Sequence, residues 1–306
     1  MKTVLITGGS GLVGQRLRYM LHEKGYRVNV LSRSRKADLA GAAFHWDWKK
    51  SEIDEEAIRS ADFIIHLAGA NIGDKRWTAK RRELIIDSRV KTAELLFTKV
   101  MEQGSSVKAF ISASAVGYYG SATSEKVFME DDVPADDFLG KTCARWEQAA
   151  DRFNESGIRT VKIRTGVVLT KNGGALGRVA MPVRLGIGSA LGTGKQYMPW
   201  IHIDDLCSIY IMALENEQME GVYNAVAPEQ ITNEEFTREL ASVLNKPFLK
   251  LNVPSFALKL LFGKMSVIIL EGSRVSSEKI ERTDFRFQFP DLKSALTNLC
   301  KNDNQL

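Results

Sequence analysis

The segment TGGSGLVG, residues 7–14, constrains this chain more than any other. It follows directly on an apolar, β-branched run over residues 2–7 and opens a helix-like stretch over 12–24. So tight a passage from strand to helix needs residues without a Cβ, and Gly8, Gly11 and Gly14 supply them. A helix that begins there presents unpaired N–H groups and the positive end of its dipole, which suits a phosphate. The spacing predicts a phosphate cradle built from Gly8, Ser10, Gly11, Leu12, Val13 and Gly14.

The stretches that follow keep alternating. Strands are expected over 27–31, 42–46, 62–67, 107–113 and 158–164, and helices over 53–59, 78–103 and 138–156. Apolar strands without a clean two-residue alternation, separated by helices, predict a parallel sheet covered on both faces. After about residue 170 glycine and proline become frequent, as in KNGGALG and RLGIGSALGTGK. Helices are expected over 204–215 and 233–244, the second capped by Thr232 or Asn233, with a strand at 223–225. The expected organisation is an α/β nucleotide-binding domain over residues 1–169 and a smaller substrate domain over 170–306. Residues 200–227 are candidates to return to the first domain.

Composition excludes several classes. Of 306 residues 44% are hydrophobic and 26% charged, and the net charge of +5 is spread without a basic run. That argues against a nucleic-acid partner. Cys143, Cys207 and Cys300 are odd in number and far apart, so neither a disulfide framework nor a cysteine metal site is expected. The four scattered histidines form no zinc spacing, and no metal is expected. No apolar stretch approaches the roughly 20 residues of a membrane span. The first residues lack the layout of a signal peptide, so a cytoplasmic location is the expectation. The amphipathic stretches 78–103 and 138–156 suit either a homodimer interface or packing on their own sheet.

The second strand ends in VLSRSRK. A dinucleotide fold that prefers a free ribose offers an acid at this edge, whereas here stand Ser32, Arg33 and Ser34. Arg33 can pair with a 2′-phosphate and the serines can donate to it, which favours NADP over NAD. Asp47 and Trp48 follow the third strand and suit the adenine edge, although Trp48 reads equally as a packing aromatic. In HLAG, Leu67, Ala68 and Gly69 permit close approach of backbone to cofactor, and His66 reads as a packing residue.

TGGSGLVG, HLAG, SASAVGYYG and PWIHIDDL, in this order, resemble the extended short-chain dehydrogenase/reductase family, also called NAD-dependent epimerase/dehydratases. FLGKTCARWE, RTGVVLTKNGGALG, GTGKQYMPWIHIDDL and GSRVSSEKIERTDFRFQFPDLKSAL are similar to an atypical "epimerase family" subgroup with a small C-terminal module. The resemblance spans nearly the whole chain. It implies a Rossmann-like sheet, a nicotinamide cofactor, a C-terminal substrate domain and a small hydroxyl- or carbonyl-bearing substrate. It also implies a tyrosine whose phenolate is stabilised by a lysine four residues later, with a nearby serine or threonine. Here the pattern departs: counting back from Glu147 places Cys143 at the lysine position and Leu139 at the tyrosine position. The hydroxyl position falls on Ala115, beside Ser114. Ser114, Tyr118 and His202 are therefore the candidate proton-transfer residues. Tyr118 reads equally as a core or pocket-wall residue, and His202 as a structural one; Cys143 reads as buried packing. The expected function is an NADP-dependent oxidoreductase or epimerase-like enzyme for an unknown small hydroxyl or carbonyl compound. The alternative is an NADP-binding regulatory or interaction protein without turnover.

Overall fold

The computed structural model describes residues 1–33, 41–104, 106–121, 123–171 and 173–300. The first half runs β1 (Thr3–Thr7), α1 (Leu12–Glu23), β2 (Arg27–Ser32), β3 (Ala43–Asp47), β4 (Glu52–Ile53), α2 (Glu55–Arg59) and β5 (Phe63–His66). It continues with α3 (Ala79–Glu102), β6 (Ala109–Ala115), a 3-10 turn (Val116–Tyr119), β7 (Val127–Phe128), α4 (Phe138–Glu155) and β8 (Arg159–Thr165). The second half holds β9 (Val167–Leu169), α5 (Gly174–Arg184), β10 (Gly188–Leu191), β11 (Trp200–His202), α6 (Ile203–Glu215) and β12 (Gly221–Ala225). The chain then forms α7 (Asn233–Val243), β13 (Phe248–Val253), α8 (Ser255–Phe262), a second 3-10 turn (Gly263–Ser266), α9 (Val267–Leu270), β14 (Arg274–Val275), α10 (Glu278–Glu281) and α11 (Leu292–Cys300).

Among the described residues eight strands form one sheet in the order β12-β8-β6-β5-β1-β2-β3-β4. Its pairings are parallel except for the β3–β4 hairpin at the edge. From β1 the chain winds outward through β2 and β3, then returns to the other side of β1 and winds outward through β5, β6, β8 and β12. The direction reverses between β1 and β5, where Thr7 lies opposite both Leu31 and His66.

Alternate residues of each strand feed opposite faces. Val4 and Ile6 pack with Leu17 and Leu21 of α1 and Leu206 and Tyr210 of α6. Leu5 and Ile64 point the other way, toward Ile58 of α2, Leu96 of α3 and Phe153 of α4. Both sets are buried, which is why the strands lack a polar face. The result is a Rossmann-like α/β core with helices on both faces, joined to a smaller C-terminal α/β module.

The glycine-rich second half holds more regular structure than its composition suggests. Leu176, Ala180 and Val183 recur at helical spacing within α5 and bury against Trp200, Phe236 and Leu240, enough to form a helix despite Gly177 and Pro182. β9 pairs with β11, β10 with β13 and β7 with β14, all parallel. Residues 52–53 extend the β3 hairpin, and α2 begins only after Asp54, whose carboxylate accepts the Glu56 N–H at 3.1 Å. Among the described residues no helix is long and apolar enough to cross a membrane.

Asp205 ties α6 to the C-terminal module. Its two carboxylate oxygens accept the backbone N–H groups of Gln288 (2.8 Å) and Phe289 (3.0 Å). The carboxylate is buried, so removing it leaves two backbone N–H donors without an acceptor. Asp205→Ala should accelerate amide hydrogen exchange at residues 285–299 well before exchange rises in β1 or β5; unchanged exchange there would refute this role.

Candidate active site

In an open α/β sheet the place for a ligand cleft is where the strand order reverses, here at the carboxyl ends of β1 and β5. Gly8 has φ +71°, and a Cβ on it would lie 2.8 Å from the Leu67 carbonyl carbon and oxygen. A Cβ on Gly14 would lie 2.4 Å from the Gly8 carbonyl oxygen. Gly11 stands at the start of α1 in extended conformation and offers no side-chain cap, so Leu12, Val13 and Gly14 present their N–H groups toward the turn. Ser10, Gly11 and Leu12 are exposed along its rim. This uncapped, Cβ-free cradle fits a phosphate group.

Along the same edge Ser32 closes β2 half-buried, and Arg33 follows it exposed. Ser34 lies outside the described residues. Asp47 accepts the Lys49 N–H at 3.0 Å, and the Lys49 ammonium stands 5.8 Å from the Trp48 ring centre. On the β5 side, Thr7 Oγ1 accepts the Ala68 N–H at 3.1 Å and meets His66 Nδ1 at 2.8 Å, which fixes the course of Leu67, Ala68 and Gly69. Thr92 Oγ1 meets the other His66 nitrogen at 3.2 Å. Burial pulls the His66 pKa down to about 4, so the ring is neutral near pH 7.

The backbone beyond Gly69 hangs on guanidinium groups. Arg89 Nη1 donates to the Ala70 carbonyl at 3.1 Å, Arg81 Nη2 donates to the Asn71 carbonyl, and Arg178 Nη1 donates to the Gly73 carbonyl at 2.7 Å. Arg178 also pairs with Asp74 at 3.2 Å. These cations bring α3 and α5 against one loop and give this side of the cleft a positive character.

Helix α4 enters through Asp137, whose carboxylate accepts the Gly140 N–H at 2.8 Å. Leu139 and Cys143 are buried facing Gly117 of the 3-10 turn. Burial pushes the Cys143 thiol up to about 12, so it carries no thiolate at neutral pH. One turn further on, Glu147 accepts both Arg164 Nε (2.8 Å) and Nη2 (2.9 Å), and also Ser114 Oγ (2.6 Å). Arg164 Nη1 donates to Tyr119 Oη at 2.9 Å, and that hydroxyl donates to Asn224 Oδ1 at 2.7 Å. The Arg164 guanidinium lies 3.4 Å from the centre of the Tyr118 ring. Burial raises the Tyr118 pKa, against the opposing pull of Arg164, and the phenol is protonated at neutral pH.

Ser114 and Tyr118 thus meet around one buried Glu147–Arg164 pair. His202 lies apart from that pair's hydrogen bonds, at the start of α6: its Nδ1 accepts the Asp204 N–H at 3.1 Å, and its Nε2 stands 3.3 Å from Asn298 Oδ1. Its ring lies 3.8 Å from that of Phe289, and Asp204 pairs with Arg16 at 2.6 Å. Among the described residues no three His, Cys, Asp or Glu side chains gather to hold a metal ion.

The model of the NAD dependent epimerase/dehydratase family matches residues 4–225, which span the whole sheet and the cleft. The chain belongs to this family. A second match, to a domain of unknown function called DUF1731, covers residues 253–299 of the C-terminal module. The mouse epimerase family protein SDR39U1 is 34% identical over 301 residues, covering 97% of this chain and 99% of the relative. The Bacillus subtilis epimerase family protein YfhF is 35% identical over 298 residues, covering 97% of each. The crystal structure of human SDR39U1 isoform 2 with NADPH superposes with a TM-score of 0.87 at 32% identity, covering 98% of this chain and 99% of that one.

Within an epimerase/dehydratase scaffold, the α4 register is the departure that matters. No tyrosine in this chain is followed four residues later by lysine, and Leu139 and Cys143 pack as core. Arg164, Tyr119 and Asn224 were not expected at the site. The one sequence hint was their placement: Arg164 and Asn224 sit at the carboxyl ends of the parallel strands β8 and β12.

Two consequences are measurable. Glu147→Gln leaves the Arg164 charge buried without its counterion, and the loss should reach about 3–5 kcal/mol in urea unfolding. Adding Arg164→Met should recover part of it, and fully additive losses would contradict the pairing. His66 governs a pH dependence: the unfolded chain takes up its proton near 6.5, the folded ring only near 4. Stability should therefore fall as pH drops from about 6.5 to 4, by on the order of 3 kcal/mol. His66→Gln should flatten that part of the profile, and an unchanged slope would assign it to other groups.

Proposed function

We propose that this chain is an NADP-dependent oxidoreductase or epimerase-like enzyme for a small hydroxyl- or carbonyl-bearing compound, working without the Tyr-x-x-x-Lys unit. The observation that carries this reading is the Cβ-free turn at the β1–β5 reversal, with Arg33 rather than an acid at the end of β2. The relative whose crystal structure holds NADPH supports it.

Gly8, Ser10, Gly11, Leu12, Val13 and Gly14 would hold the pyrophosphate through backbone N–H groups and the α1 dipole. Ser32 and Arg33 would take the 2′-phosphate, Arg33 through charge-assisted donors. Asp47 and Trp48 would border the adenine. Leu67, Ala68 and Gly69 would line the path toward the nicotinamide. A nicotinamide cofactor, when bound, supplies the hydride exchange. The chain must then move a proton at the substrate oxygen. Tyr118 suits a donor role because its phenol stays protonated. Ser114 suits a bridge between substrate and Glu147, to which it already donates. His202 has both nitrogens engaged at the α6 cap, which favours a positioning role over proton transfer.

The buried Leu139–Cys143 face favours the second reading, binding without turnover. A screen of carbonyl and alcohol substrates, followed by nicotinamide absorbance, separates the two, with oxidation or reduction of the cofactor expected for an enzyme. Calorimetry tests the cofactor choice. Arg33→Ala should weaken NADPH by about tenfold or more and leave NADH little changed; equal NADPH affinity in both proteins would defeat the assigned role.

A further inference from the structure

Arg89 holds the Ala70 carbonyl beside the end of β5 and has no role in the proposed cofactor site so far. It stands on the sheet-facing stripe of α3, where Ile85, Ser88, Thr92 and Leu96 are buried. Its Nη1 donates to the Ala70 carbonyl (3.1 Å) and the Ile85 carbonyl (2.9 Å), and its guanidinium lies 5.0 Å from the centre of the Trp146 ring. A Cβ on Gly69 would come within 3.0 Å of the guanidinium carbon, so a side chain there would make the arginine shift. Among the described residues no carboxylate pairs with it, in contrast to Arg164, whose counterion is bidentate. Burial lowers the Arg89 pKa and Cys143 is the neighbour that opposes this, so the two side chains share one environment. Yet Arg89 keeps accessible surface. It is half-buried, beside Gly69 at the end of β5.

A largely desolvated cation held by carbonyl groups and an aromatic face, with no carboxylate, is costly unless another oxygen completes its shell. Its place in the strand order says which oxygen. Arg33 marks the end of β2, the glycine turn marks β1, and a dinucleotide crossing the reversal extends over β5 toward β6. Arg89 lies over the end of β5, against α4. We infer that Arg89 binds an oxygen of the nicotinamide-ribose half of the dinucleotide, and so supplies the fixed cation that Cys143, at the lysine position of α4, does not. The inference rests on the cofactor reading above.

The test compares the unsubstituted chain with Arg89→Met and Arg89→Lys, by calorimetry with NADPH, NADH and 2′,5′-ADP, a fragment that lacks the nicotinamide ribose. Arg89→Met should weaken NADPH and NADH by the same factor, about tenfold or more, and leave 2′,5′-ADP unchanged. Arg89→Lys should recover part of the loss. Unchanged NADPH affinity in Arg89→Met would overturn the inference alone. Equal losses for NADPH and 2′,5′-ADP would also overturn it, since Arg89 would then serve only to hold the loop at Ala70. If the unsubstituted chain binds 2′,5′-ADP and NADPH with no measurable affinity, the cofactor reading fails and this one with it.

Discussion

Gly8 leaves β1 with positive φ and passes so close to Leu67 that a Cβ would meet its carbonyl at 2.8 Å. This contact joins the two halves of the sheet at their reversal. It lets α1 begin immediately beyond the strand, with Gly14 tucked against the Gly8 carbonyl, and it leaves the first N–H groups of α1 facing the cleft. Chain packing alone therefore requires glycine at both places. The same absence of side chains is what admits a phosphate, so stability and binding make one demand on these positions rather than competing.

Two arginines show how the site divides its work. Arg164 is buried and fully partnered by Glu147, Tyr119 and the Glu130 carbonyl, which braces Ser114 and the Tyr118 ring around it. Arg89 is held by the Ala70 and Ile85 carbonyls and the Trp146 ring, with no carboxylate among the described residues. The first charge is spent within the protein; the second is oriented and left to a ligand. Helix α4 takes part in both environments, through Glu147 on one turn and Cys143 and Trp146 beside Arg89. Its Leu139–Cys143 face is packing and holds neither a tyrosine nor a lysine.

The first half of the fold was legible because each strand is buried on both faces and each helix is set off by glycine or a capping residue. The 7–14 turn was legible through its glycine spacing together with its place between an apolar strand and a helix. What stayed hidden had physical reasons. Helix α5 is masked by Gly177 and Pro182, and only burial of Leu176, Ala180 and Val183 decides for it. Arg89 stands between Ser88 and Val90 on a long amphipathic helix, and only the burial of Ile85, Ser88 and Thr92 places it on the inward stripe. The Glu147–Arg164 pair joins residues on separate elements, which no local pattern reports. His202 read equally as a proton-transfer candidate and as a structural residue, because the sequence does not show that its ring caps α6 and stacks on Phe289.

The central claim is that a dinucleotide lies across the β1–β5 reversal. Amide hydrogen exchange of the full chain with and without NADPH tests it most directly. Protection concentrated at residues 8–14 and 67–70, with a smaller effect at 32–33, is the predicted result. Absence of protection, or protection confined to the C-terminal module, would contradict it.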